Sequence, residues 1–105
     1  MDRVGQHIDA FNHAVGTGDW QTFSKRFAAD ARMSFVGVPA GPYVGRPAIA
    51  EAYETNPPTD TIATFEPTNP TSDTVRFTWS SGAGGTMRFA WAPTGEVREL
   101  TVTFD

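Results

Sequence analysis

Apolar residues near the N-terminus recur every three or four positions, which is the spacing of one face of an α-helix. Glycines at positions 16 and 18 predict the end of this first helix, because glycine readily adopts the left-handed conformation found there. The apolar stripe of the helix consists of Val4, Ile8, Phe11 and Val15.

A second helix is predicted to begin after Asp19, because an aspartate side chain accepts hydrogen bonds from the first backbone N–H groups of a helix. A short strand over residues 32–36 is predicted to follow it. The apolar face of the helix would hold Trp20, Phe23 and Phe27, and that of the strand would hold Met33 and Phe35.

Glycine and proline dominate residues 37–45, which predicts a loop with a brief strand at residues 43–44. A third helix should then begin near Pro47, since proline is tolerated in the first turn of a helix. Asn56 followed by two prolines ends it. Its inner face would hold Ile49, Ala52 and Tyr53.

The rest of the chain has the composition and alternation of β-strands. Strands are predicted over residues 61–66, 74–80, 86–92 and 96–104, with turns at 67–72, 81–85 and 93–95. One face of the last three strands is apolar and aromatic, whereas the other is rich in threonine and arginine. The apolar positions are Val75, Phe77, Trp79, Met87, Phe89, Trp91, Leu100, Val102 and Phe104.

Three helices followed by an antiparallel run of strands indicate an α+β fold in which the apolar sheet face meets the helices. The length of 105 residues suits a single domain over residues 1–105. The glycine-rich segment 82–85 lies between strands and is interpreted as a hairpin turn, not as a phosphate-binding loop.

The composition of the chain argues against nucleic-acid binding and against a membrane-spanning segment. The net charge of −4 offers no basic face for nucleic acid, and no apolar run approaches the roughly 20 residues of a membrane span. The N-terminal residues lack an apolar signal region, so a cytoplasmic protein is expected. His7 and His13 do not share a helical face, so neither a metal nor a cofactor is expected.

Three short motifs carry a family resemblance: Gly18-Asp19, the segment 27–31 of sequence Phe-Ala-Ala-Asp-Ala, and the segment 45–53 from Gly45 to Tyr53. Their order and spacing resemble the nuclear transport factor 2-like superfamily, which includes ketosteroid isomerases and SnoaL-like polyketide cyclases. The resemblance implies a cone-shaped fold. Three N-terminal helices would pack in the concave face of a strongly curved, mostly antiparallel sheet.

The resemblance also implies where catalytic groups would lie. In ketosteroid isomerases a strand aspartate moves the proton, while a tyrosine and a protonated acid hold the enolate oxygen. Those positions correspond here to Phe35, Phe11 and Met87, and a further pocket tyrosine corresponds to Phe27. Loss of a positioned base lowers a rate by about 10²–10⁴-fold, so catalysis of that type is not expected. Tyr53 keeps its hydroxyl and is the one polar group expected inside.

Three functions remain open. The first is a pocket that binds a small hydrophobic, even polycyclic, molecule without an assigned chemistry. The second is an isomerase or polyketide cyclase that uses Tyr53 or His7. His7 lies one turn before Phe11 and either reaches the cone or stays half-exposed at the helix edge. The predicted pocket residues are Phe11, Phe27, Phe35, Tyr53, Phe77, Trp79, Met87, Phe89 and Trp91.

The third function is that of a cone filled by its own side chains, which acts as a dimerisation or partner-binding module. A homodimer would form through the threonine- and arginine-rich sheet face, which is the alternative to leaving that face solvated. The residues of this face are Arg76, Thr78, Arg88, Thr101 and Thr103.

Overall fold

The computed structural model of the chain describes residues 3–68 and 73–105, so part of the predicted turn at 67–72 and the first two residues lie outside the described residues. Within them, no helix is both long and apolar enough to cross a membrane. The elements are α1 (Arg3–Thr17), α2 (Trp20–Ser24), β1 (Phe27–Val36), β2 (Tyr43–Val44), α3 (Arg46–Thr55), β3 (Ile62–Pro67), β4 (Thr74–Trp79), β5 (Gly84–Trp91) and β6 (Val97–Phe104).

The predicted end of α1, the start of α2 and the bounds of α3 are confirmed. The φ angle of Gly18 is 75°, and its N–H donates to the carbonyl of Ala14 over 2.7 Å, which closes the C-terminus of α1. Asp19 caps α2 by accepting from the backbone N–H of Thr22 at 3.2 Å. In α3, proline occupies the first turn as expected. Its buried face contains Ile49, Ala50 and Tyr53, whereas the predicted Ala52 is half-buried.

The second helix is shorter than predicted, and Phe27 does not belong to it. β1 begins at Phe27 instead of at residue 32. Tertiary contacts explain the difference: Phe27 pairs with Val97 of β6, and its carbonyl accepts from Nε of Arg46 at 2.8 Å. These partners are distant in sequence, so the helical spacing of the apolar residues could not reveal them.

The six strands form one sheet in the order β2-β1-β6-β5-β4-β3. Strands β3 to β6 form the predicted antiparallel run, whereas β1 pairs parallel to β6 and antiparallel to β2. The register places Met87 opposite Val102 and Phe89 opposite Leu100. The expected alternation is therefore confirmed, with the apolar face against the helices.

The turn between β4 and β5 is tighter than predicted. Residues 80–83 form it, and β5 already begins at Gly84. A Cβ atom at Gly85 would overlap the backbone oxygen of Thr103 in β6. Glycine thus lets β5 approach β6 closely, which explains why this glycine-rich segment continues as a strand.

A shift of register between Ala90 and Trp91 interrupts the alternation at the end of β5. Trp91 is only half-buried, stacks on Phe89 with 5.3 Å between ring centroids, and lies 5.7 Å below the guanidinium of Arg3. The bulge therefore moves this indole to the edge of the core.

Candidate functional site

A partly enclosed cavity of about 50 Å³ lies between α1, α3 and the inner face of β3–β6. Nine of its eleven lining residues have aliphatic, phenyl, thioether or indole side chains. The other two are His7 and Tyr53. All are buried except Trp79 and Phe104, which are half-buried. The cavity is lined by His7, Ile8, Phe11, Tyr53, Ile62, Phe77, Trp79, Met87, Leu100, Val102 and Phe104.

The structure brings together five of the nine residues predicted to line a pocket and leaves four outside the lining. Three of the additional lining residues, Leu100, Val102 and Phe104, belong to the apolar face that the alternation of β6 indicated. The five that line the cavity are Phe11, Tyr53, Phe77, Trp79 and Met87, and the four outside it are Phe27, Phe35, Phe89 and Trp91.

Phe35 lies on the helix side of the sheet, since it alternates with the buried Met33. Its ring stacks on Phe104 with 6.1 Å between centroids and meets Tyr43 edge-on at 6.2 Å. Phe104 itself lines the cavity. Phe35 therefore supports the cavity wall from behind and does not touch the enclosed space.

His7 is enclosed by three phenyl rings, which we call the aromatic cage. The distances from the imidazole centroid are 5.1 Å to Phe23, 5.2 Å to Phe89 and 5.5 Å to Phe27. Its side chain is only 3% exposed, so His7 reaches the interior and the half-exposed alternative is wrong. The sequence-based expectation of Tyr53 as the one interior polar group is wrong for the same reason.

The imidazole of His7 makes no hydrogen bond within the part of the chain that the structure describes, and its Nδ1 is fully buried. Burial lowers the pKa of His7 to about 3, with a smaller contribution from the positive charge of Arg26. The ring is therefore neutral at physiological pH. An unpaired buried polar group of this kind destabilises a fold by about 1–3 kcal/mol.

Tyr53 is held between two elements. Its ring stacks on Trp20 of α2 at 4.8 Å and 5°, and its hydroxyl donates to Sδ of Met33 over 3.4 Å. A thioether is a weak acceptor. Burial raises the pKa of Tyr53 well above its usual value of 10, so the hydroxyl remains protonated.

The His7 imidazole and the Tyr53 hydroxyl are better suited to hydrogen bonding than to proton transfer. A histidine with a pKa of about 3 is a weak general base near neutral pH, since efficient proton transfer needs a pKa close to the working pH. The pKa of Tyr53 is raised far above neutral pH, so its hydroxyl is too weak an acid to transfer a proton efficiently. The arrangement suits recognition of a polar atom on an otherwise apolar molecule.

Asn12, which no sequence pattern indicated, ties α1 to the start of β3. Its side-chain amide donates to the carbonyl of Ile62 at 3.0 Å and accepts from the N–H of Ile62 at 2.8 Å. These paired bonds fix a cavity-lining residue to α1. The partners are 50 residues apart, so no local pattern could indicate the contact.

The outer face of the sheet carries the predicted polar residues. Arg76, Thr78, Arg88 and Thr103 are exposed, and Thr101 is half-buried. Arg76 forms an ion pair with Asp105 at 2.8 Å, whereas Arg88 has no ion-pair partner among residues 3–68 and 73–105. Those residues also contain no group of three histidine or acidic side chains that could hold a metal ion.

The chain is similar to a known protein family and to several solved structures. Residues 1–94 match the SnoaL-like domain family. A comparison with curated proteins finds no matching sequence. An NTF2-like (nuclear transport factor 2-like) protein of unknown function from Cytophaga hutchinsonii is 16% identical, with a TM-score of 0.71 over 97% of this chain and 89% of that one.

Two further solved structures share the fold. A computationally designed 17-OHP binder is 14% identical, with a TM-score of 0.73 over 100% of this chain and 92% of that one. The orange carotenoid protein of Anabaena (Nostoc) sp., which binds canthaxanthin, is 16% identical, with a TM-score of 0.65 over 91% of this chain and 35% of that one. At these identities the likeness shows the fold alone, and the predicted nuclear transport factor 2-like fold is confirmed.

Proposed function

Because the chain belongs to the SnoaL-like domain family, we propose that it binds a small apolar molecule inside its cone. The observation that carries this proposal is the partly enclosed, mainly apolar cavity, which is also lined by two polar side chains from different helices. Such a combination of apolar walls and a few polar groups is typical of small-molecule sites. Two proteins with the same fold support the proposal, since one is a designed binder of 17-OHP and the other binds canthaxanthin.

The cavity must enlarge to accept a ligand. Ligand pockets measure about 300–1,000 Å³, whereas this cavity measures about 50 Å³. Trp79 is the side chain through which it can open, because it also borders a surface depression of about 290 Å³ formed with Pro58, Thr59, Asp60 and Ser81. Displacement of the indole would connect the cavity with this depression and give a ligand access to the interior.

A titration with 17-OHP tests the proposal, with the midpoint of thermal unfolding and tryptophan fluorescence as readouts. We expect a concentration-dependent rise of the midpoint, because a ligand that binds only the folded state stabilises it. Val102→Phe, which fills the cavity, should abolish the rise. Thr103→Phe, on the neighbouring outer-face position, should preserve it.

Equal responses from the two variants would place binding outside the cone. If a panel of apolar molecules of increasing size, from toluene to 17-OHP, leaves the wild-type midpoint unchanged, the binding proposal is wrong. The small cavity volume would then favour the filled cone. Circular dichroism of each variant checks that the substituted chains fold.

A homodimer through the outer sheet face is a second proposal, and it is compatible with the first. Val36 is 51% exposed and Val44 is 61% exposed, at the β1–β2 edge of this face. Thr103, opposite Val36 in the register, connects this apolar edge with the polar centre. Arg88, which has no ion-pair partner among the described residues, supports a contact with an acidic group of a second copy.

Sedimentation equilibrium tests the dimer. We expect association of the wild-type chain that Arg88→Glu weakens at least tenfold, because a like charge would replace an interfacial cation. Lys25→Glu changes the same charge on the exposed end of α2 and should leave the association unchanged. A monomeric wild-type chain at high concentration would rule out this interface.

A further inference from the structure

The interior of the cone contains a hydrogen-bonding group that the fold itself leaves unused. Three phenylalanine rings pack on the His7 ring, and no hydrogen bond reaches either ring nitrogen within residues 3–68 and 73–105. Leucine or phenylalanine would fill such a position without desolvating a polar group. An imidazole here is therefore unfavourable for folding unless another molecule pairs with it.

The cavity offers such a molecule a direction of approach to His7. The three rings of the aromatic cage surround His7, and none of them lines the cavity. The imidazole itself does line it. A partner for His7 therefore has to occupy the cavity, beside the apolar side chains of Ile8 and Phe11.

The chemistry of a neutral imidazole selects the partner group. One ring nitrogen carries a proton and donates, while the other presents a lone pair and accepts. A hydroxyl can both donate and accept, so it can pair with whichever nitrogen is presented. A carbonyl or an ether can pair only with the N–H. A carboxylate or an ammonium would bring an uncompensated charge into an apolar space, which is strongly unfavourable.

We propose that the ligands of this cone are apolar molecules with a single hydroxyl group, such as a phenol or an alcohol, and that the hydroxyl pairs with the His7 imidazole in the cavity. The inference rests on the proposed small-molecule function and defines its ligand class. His7 is thus a specificity-determining residue. Tyr53 is the other polar group of the lining, but its proton is already donated to Met33.

Phenol and toluene form a matched pair of probes, because they have nearly the same shape and differ by a hydroxyl in place of a methyl. Their affinities can be measured by NMR titration of the wild-type protein and of His7→Phe. We expect the preference for phenol over toluene to fall about fivefold or more in His7→Phe, the effect of one lost hydrogen bond. Toluene affinity should remain within about twofold.

Two more variants keep the test informative if His7→Phe folds poorly. His7→Leu should lose the preference in the same way, whereas His7→Gln should retain part of it, because the amide also offers a donor and an acceptor. A shift of the His7 ring nitrogen resonances with phenol and not with toluene would locate the contact directly.

The outcomes separate this inference from the function on which it rests. If the phenol-to-toluene ratio is the same in wild type and His7→Phe, ligands bind the cone without His7 and only the inference is overturned. If neither probe binds the wild-type protein, the inference is also overturned. The broader function is then decided by the titration with the larger apolar molecules.

Discussion

The inner and outer faces of strands β4–β6 are built from alternate residues of the same strands, yet they differ in packing and in chemistry. On β5, the side chain of Phe89 is buried against His7, while that of its neighbour Arg88 is exposed and unpaired within the described residues. On β6, Val102 lines the cavity and Thr101 lies on the outer face.

The two faces therefore tolerate substitutions differently. Inner residues are close-packed, so lost volume or an unpaired polar group is felt at once. Outer residues are solvated, so a substitution there changes association more than stability. A proposed function on the inner face therefore depends on packing, whereas one on the outer face depends on charge.

The largest difference between the two faces is expected at two adjacent residues of β5, Arg88 and Phe89. Phe89→Ala should lower the free energy of unfolding by about 3–5 kcal/mol, because it removes a buried ring and leaves a void. Arg88→Ala should change it by less than about 0.5 kcal/mol. Urea denaturation measures both, and similar losses would contradict the division into a packed and a solvated face.

The next largest effect is expected where β5 and β6 approach each other. Gly85→Ala should lower the free energy of unfolding by about 1–3 kcal/mol, because the new Cβ would overlap the backbone oxygen of Thr103. Gly16→Ala, in α1 with no atom within 4 Å of its Cβ position, should be stabilising by up to about 1 kcal/mol. Calorimetric scans of both variants compare them, and equal signs would contradict the close approach.

Acid should destabilise the inner face through His7. Its pKa is about 3 in the folded protein and near 6.5 when unfolded, so below pH 6.5 the unfolded state binds a proton that the folded state cannot. The free energy of unfolding should therefore fall by about 2 kcal/mol between pH 6.5 and 4.5. Urea denaturation across this range measures it.

Two variants isolate the histidine responsible. His7→Leu should remove this pH dependence, while His13→Leu, on the exposed side of α1, should keep it. Hydrogen bonds from Thr22 and Ser81 lower the pKa values of Asp19 and Asp60 below 3.8, so their contributions are lost only at still lower pH. A steep dependence that survives in His7→Leu would place the titrating group elsewhere.

The smallest effect is expected for the Tyr53 hydroxyl. Tyr53→Phe removes only a hydrogen bond to a thioether, so the free energy of unfolding should fall by less than about 1 kcal/mol. The ring and its stack on Trp20 are retained. A loss above about 2 kcal/mol, measured by chemical denaturation, would indicate a stronger partner for this hydroxyl.

Several features followed from the sequence because they depend on neighbours along the chain. The stripe of Val4, Ile8 and Phe11 identified the buried face of α1, and Asp19 identified the start of α2. Alternation in β4–β6 separated the inner positions from the outer ones. Each of these signals arises from backbone periodicity or from a side chain that bonds within four residues.

The cavity itself was less accessible to such reasoning. Phe11, Tyr53 and Trp79 line it as predicted, but Phe35 lies behind Phe104 and Phe27 belongs to a strand. Whether an aromatic ring borders an empty space or fills it depends on the volumes of all its neighbours. Neighbours that are distant in sequence, such as His7 and Phe89, leave no trace in a local pattern.

The sequence by itself determined the α+β architecture and the inward and outward faces of its elements. Only the tertiary structure decided that β1 runs parallel to β6, that three rings enclose His7, and that the remaining cavity measures about 50 Å³. The physical reason is that periodicity specifies which side chains turn inward, whereas close packing between distant segments decides how much space they leave and which polar group remains unpaired.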